Sequence, residues 1–132
     1  MIIYQRWIYR DDLQANPDIM YLFGDNVDRI GRGGQAKEMR GEPNAHGIAT
    51  KVSPSNHPNA FFNDEKFLEQ SKIIFNDFSA VFGKIAKGGT VIIPLNGLGS
   101  GLSQLPEKAP GLNTYLLRQI AYLTEIDKRI RR

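Results

Sequence analysis

Asp25 and Asn26 stand where an apolar run, Ile19 to Phe23 (IMYLF), gives way to a glycine-rich stretch within Phe23 to Lys51 (FGDNVDRIGRGGQAKEMRGEPNAHGIATK). In open α/β sheets ligands bind at such a strand exit. The glycines around them, Gly24, Gly31, Gly33 and Gly34, let a ligand approach the bare backbone. Main-chain N–H groups ahead of a helix carry partial positive charge and favour a phosphate. A second stretch has the same character. Leu95 to Pro110 (LNGLGSGLSQLPEKAP) follows the apolar TVIIP of Thr90 to Pro94 and holds Gly97, Gly99 and Gly101 with Ser100 and Ser103. Two such loops facing each other would present enough backbone donors for a diphosphate without any cation. Taken singly, each loop is equally well explained as a set of turn residues, and Asp25 as a turn or capping residue. Their conjunction, each after a buried strand, carries the inference.

Other phosphate and metal motifs do not fit. Gly31 to Glu38 (GRGGQAKE) has Ala36 where a P-loop needs its second glycine and Glu38 where a hydroxyl should meet magnesium. Gly31-Arg32-Gly33-Gly34-Gln35-Ala36 matches a dinucleotide fingerprint by letter but lies too far beyond its strand for a tight turn. Asn26, Asp28 and Gly31 lack the closing glutamate of a calcium loop. His46 and His57 have no carboxylate pattern around them and read as polar loop residues, so no metal and no cofactor is expected.

The elements that must position these loops follow from pattern. Ile2 to Tyr9 has strand composition, with Asp11 and Asp12 at its exit and a turn at Asn16-Pro17. Ile19 to Phe23 and Thr90 to Pro94 are continuous apolar runs, as in strands covered on both faces. Gln35 to Arg40 is a short helix closed by Gly41, and His46 to Lys51 a brief strand. From Asn63 or Asp64 to about Lys87, apolar residues recur at helical steps until Gly88-Gly89, and Leu112 to about Ile130 is a second amphipathic helix. Strands alternating with helices predict an α/β fold of three layers, a mostly parallel or mixed sheet with helices on both faces, in one domain over residues 1–132.

Composition sets bounds. With 132 residues, 41% hydrophobic and 23% charged, the chain is long enough for one core. It has no cysteine, which excludes disulfides and thiol chemistry. The opening MIIYQRWIYRDD lacks the features of a signal peptide, and no apolar run reaches a membrane span, so a cytoplasmic location without a membrane partner is the expectation. The net charge of +3 owes much to Lys128, Arg129, Arg131 and Arg132, a solvated helix end more than a nucleic-acid footprint.

The apolar strand leading to Asp25-Asn26, the glycine turn, the short helix and Gly41 resemble the hallmark of the macro domain. TVIIP-LNGLGSGLSQLP is similar to that fold's second signature. The resemblance implies a macro-like fold that binds ADP-ribose or a related nucleotide diphosphate, with hydrolysis of an ADP-ribosyl bond as an activity of some members. It implies that Asp11 meets the adenine amino group, and that Asn96, Gly97, Leu98, Gly99, Ser100 and Gly101 cradle the diphosphate. Gly33 and Gly34 would close over the distal ribose, with Gly24 and Gln35 also among the ligand-binding residues. Asp25 and Asn26 are the implied catalytic pair, Asp25 orienting water and Asn26 fixing the ribose, with Glu38 as a second carboxylate. Gly24-Asp25-Asn26 departs from the family's paired asparagines. The alternative is a non-catalytic module that sequesters a nucleotide derivative or reads an ADP-ribosylated macromolecule, nucleic acid included.

Overall fold

β2 (Met20–Asn26) is the strand around which the chain is arranged, because its successive side chains enter two different cores. The computed structural model describes residues 1–132. Before β2 come β1 (Ile2–Gln5) and α1 (Arg10–Ala15). After it come α2 (Ala36–Met39), β3 (Ala45–Lys51), α3 (Phe67–Ala86), β4 (Val91–Pro94), α4 (Leu105–Lys108) and α5 (Pro110–Ile130). The alternation of a pleated strand sends Leu22 to one face and Tyr21 and Phe23 to the other, and all three are buried. Leu22 packs with Ile48, Val91 and Ile93 against Ile74, Phe78, Val81 and Ile85 of α3 and Leu112, Leu116 and Leu123 of α5. Tyr21, Phe23 and Ile92 pack with Leu13 of α1 and Ala36 and Met39 of α2. These are three layers of an α/β fold, with the larger core under the two long helices. Each fully buried aliphatic or aromatic side chain there contributes about 1.5–3 kcal/mol of transfer free energy.

The sheet order is β1-β4-β2-β3 and every strand pairing is parallel. A mostly parallel or mixed sheet was the expectation; the antiparallel pairing present is a single bridge between Lys51 and Phe61 at the β3 edge. From β1 through α1 to β2, and on through α2 to β3, the chain moves one way across the sheet over one face. From β3 through α3 to β4 it returns over the other, as right-handed crossovers require. The chain therefore leaves β4 toward the α3/α5 layer, whereas it leaves both neighbours, β1 and β2, toward the α1/α2 layer. Diverging exits open a crevice at the strands' carboxyl ends, the place where ligands bind in open α/β sheets.

Element ends differ from the sequence pattern where side chains cap them. β1 stops at Gln5, not Tyr9, because Asp12 accepts hydrogen bonds from the Tyr9 N–H (2.9 Å) and Gln5 Nε2 (2.9 Å) and so opens α1. Asp11 and Asp12 thus lie inside a helix that strand-like composition concealed. Asp64, expected to open the long helix, instead accepts from the Gly111 and Leu112 N–H groups (2.8 and 3.0 Å) and caps α5.

Candidate functional site

The two glycine loops line one cleft of about 690 Å³ at the carboxyl ends of the strands. They touch in two places. At Gly24 a Cβ would lie 2.1 Å from the Leu98 carbonyl oxygen, so β2 can abut the second loop's backbone only with glycine there. At the rim a Cβ on Gly33 would come 2.6 Å from Leu102 Cδ1. Between these contacts the loops expose donors. No backbone N–H from Ile30 to Gln35 donates within the chain, and the same holds from Leu98 to Ser103. These two runs without intrachain acceptors lie in the loops that line the cleft, and successive free amides of this kind suit an anion.

Side chains hold the first loop in shape. Arg40, at the end of α2, donates from Nε to the Gly31 carbonyl (2.7 Å) and from Nη2 to the Ile30 carbonyl (3.2 Å) while its guanidinium grips Asp25 and lies over the Phe23 ring. Asn26 Nδ2 donates to the same Ile30 carbonyl (2.7 Å). That bond fixes the amide's orientation and leaves Asn26 Oδ1, buried beside the cleft, with no hydrogen-bond partner. An orphaned buried acceptor costs about 1–3 kcal/mol until something donates to it. The second loop is held by its own chain and by packing. Ser100 Oγ donates to the Asn96 carbonyl (2.6 Å), Ser103 Oγ to the Gly99 carbonyl (2.7 Å) and the Leu105 N–H also to Gly99 (2.9 Å), while Leu98 and Leu105 sit in the larger core.

The charge balance of the cleft is positive. Lys51, 6% exposed, lines it with its ammonium on the Ser55 carbonyl (2.7 Å) and over the Phe61 ring. Burial pulls its pKa below the usual lysine value. Arg6 lines the cleft too, and neither cation is in an ion pair. The one carboxylate present, Asp25, is offset by Arg40 and by Arg29 at 3.7 Å. No group of three His, Cys, Asp or Glu side chains converges that could hold a metal ion.

Of the residues singled out from sequence, Gly24, Asp25, Asn26, Gly33, Gly34, Gln35, Asn96, Gly97, Leu98, Ser100 and Gly101 border this cleft, and Gly99 lies within the same loop. Three placements correct the expected roles. Asp11 is outside, exposed in the first turn of α1, because the helix that begins at Arg10 carries it away from the β1 exit. Gln35 borders the cleft, yet its carboxamide is taken by Ile8: the Ile8 N–H donates to Oε1 (2.8 Å) and Nε2 donates to the Ile8 carbonyl (2.9 Å). Asp25 accepts on Oδ1 from Arg40 and from the Asn26 N–H (2.8 Å) and on Oδ2 from Arg40 Nη1 (3.4 Å). It is packed so closely on Gly47 that a Cβ there would fall 2.3 Å from Oδ2. This carboxylate lines the cleft with its oxygens engaged by Arg40, which in turn holds the first loop. Glu38, the second carboxylate considered, accepts from the Arg10 N–H (3.2 Å) beside α1 and is not in the cleft.

Arg6 and Trp7 border the cleft without having stood out in sequence, and Arg40 borders it too. Arg6 and Trp7 lay inside an assumed strand, and only the early end of β1 brings them to the rim. From sequence, Arg32, Lys37, Arg40 and Lys51 read either as solvated cations that pair with Asp28, Glu38 and Glu42 or as charges that favour a phosphate or a polynucleotide end; the fold sets Arg40 on Asp25.

The chain matches the family of unknown function DUF7831 over residues 3–119 and belongs to it. No curated protein and no solved structure matches it. No helix is long and apolar enough to cross a membrane.

Proposed function

We propose that this member of the DUF7831 family binds a nucleoside diphosphate derivative of the ADP-ribose class, with the diphosphate on the facing amide runs Ile30–Gln35 and Leu98–Ser103. The observation that carries this is the pair of loops themselves: unspent backbone donors on both walls of one cleft, at the point where strand exits diverge. Lys51 and Arg6 add positive charge beside it, and Asn26 Oδ1 awaits a donor such as a sugar hydroxyl. The order of strand, glycine loop and second glycine loop is what supports a macro-like assignment. Binding, and not hydrolysis of an ADP-ribosyl bond, is the core of the proposal, because Asp25 is engaged with arginine.

Thermal unfolding in the presence of ADP-ribose, NAD, AMP and inorganic phosphate tests it. A ligand at a hundred times its dissociation constant stabilises by about 2.7 kcal/mol. The diphosphate compounds should raise the midpoint well beyond AMP and phosphate; equal or absent shifts across the panel refute a diphosphate site. If an ADP-ribosylated polynucleotide is the natural partner, its affinity will fall steeply with salt while that of free ADP-ribose changes little.

A further inference from the structure

We infer that the base of the bound nucleotide stacks on Trp7, and that the β1 exit, not Asp11, selects for a base. The inference rests on the nucleotide-diphosphate proposal and adds to it the element that recognises the other end of the ligand.

Trp7 is 45% exposed and lines the cleft, which leaves part of its indole open to a ligand there. Its loop is held at both ends, and by the two glycine loops. On one side of Trp7 the Gln5 carbonyl accepts from the Leu95 N–H (2.7 Å), at the start of the second loop. On the other, Ile8 is bonded through both its N–H and its carbonyl to the Gln35 carboxamide, at the end of the first (2.8 and 2.9 Å). Gln35 thereby does what a neighbouring strand would do for one residue. The Ile8 side chain is wholly buried, which anchors the segment from below. An indole set on a segment fastened to both phosphate-binding walls is a preorganised platform, and a planar ring reaching out from the diphosphate meets it without a loop having to be ordered first. Arg6 beside it brings a cation free of ion pairs to the same rim, so the platform is suited to a ring joined to an anion and not to an uncharged aromatic compound. Stacking of this kind tolerates different bases, since every base has a π-face.

Trp7 is the single tryptophan of the chain, so its fluorescence reports this position alone. Fluorescence and calorimetry are to be followed as ADP-ribose and, separately, inorganic pyrophosphate are titrated into the full chain and into Trp7→Ala and Trp7→Phe. Expected are a fluorescence change with ADP-ribose that pyrophosphate does not reproduce, and about tenfold weaker binding of ADP-ribose to Trp7→Ala. Pyrophosphate affinity should be unchanged by the substitution, and Trp7→Phe should recover most of the loss. If ADP-ribose releases heat but leaves the fluorescence of the parent chain untouched, or if Trp7→Ala binds it as tightly as the parent, stacking is overturned while the diphosphate site stands. Equal weakening of ADP-ribose and pyrophosphate by Trp7→Ala would also overturn it, marking Trp7 as a support of the loops. If neither ligand binds the parent, the diphosphate site falls and the stacking with it. Should Trp7→Ala fail to fold, the parent's fluorescence and Trp7→Phe decide the matter.

Discussion

The two glycine loops reach the same cleft with similar sequences but keep their shapes by different means. The first, at the exit of β2, is clamped by polar side chains, with Arg40 and Asn26 on the Ile30 and Gly31 carbonyls and Asp25 holding Arg40 in turn. The second, at the exit of β4, is fastened by Ser100, Ser103 and its own backbone over Leu98 and Leu105 in the larger core. Glycine content alone conceals this difference. A loop held through one buried ion pair fails when that pair is broken, whereas a loop with several small fastenings and a packed floor yields gradually.

The largest expected effect follows directly. Arg40→Ala leaves Asp25 buried with Arg29 at 3.7 Å as its one cation and the Asn26 N–H as its one close donor, and loss of one partner of a buried pair costs about 3–5 kcal/mol. Urea unfolding should show that loss together with loss of ligand binding; a loss below about 1 kcal/mol would mean the clamp is not what shapes the first loop. Next is Gly24→Ala, where the added methyl meets main chain that cannot swing aside. Overpacking of this sort costs about 1–3 kcal/mol, and here it should part the two loops and weaken binding as well. Ser103→Ala is expected to be milder, about 1 kcal/mol for one buried hydrogen bond, with binding retained because Gly99 keeps its bond from the Leu105 N–H.

A control lies far from both loops, at Asp127. Burial pushes its carboxyl pKa up, but hydrogen bonds from the amino terminus and the Ile2 N–H, with the charges of the terminus and Arg131, overcome this and hold it below the ordinary value. The sign is that of a depressed acid. Its contribution is complete above the unfolded pKa of about 3.9 and is lost as pH falls through the lower folded value. Unfolding free energies measured from neutral pH into acid should therefore fall less steeply for Asp127→Asn than for the parent, with ligand affinity at neutral pH the same in both.

The layered fold was legible because apolar runs and helical periods report burial directly: IMYLF and TVIIP are strands with both faces covered, and the stripes of α3 and α5 mark the larger core. The meeting of the two glycine loops was legible from their equivalent positions after buried strands. What escaped was decided by single side chains finding distant partners. Asp12 turned the end of an apparent strand into α1, Asp64 capped a helix far along the chain, and Gln35 was spent on Ile8. Arg40 looks like any surface cation until the fold sets Asp25 beside it. Local pattern does not encode such pairings, because their geometry exists only once the sheet order is set.

Calorimetric titration of ADP-ribose into the parent and into Gly33→Val tests the facing-loop site most directly. The new side chain would displace only the flexible end of Leu102 and stand in the cleft between the loops, leaving the unfolding midpoint close to that of the parent. The site as described predicts one bound ADP-ribose in the parent and affinity at least about tenfold lower in Gly33→Val, a difference of about 1.4 kcal/mol. No heat from the parent, or the same isotherm from both proteins, would contradict it.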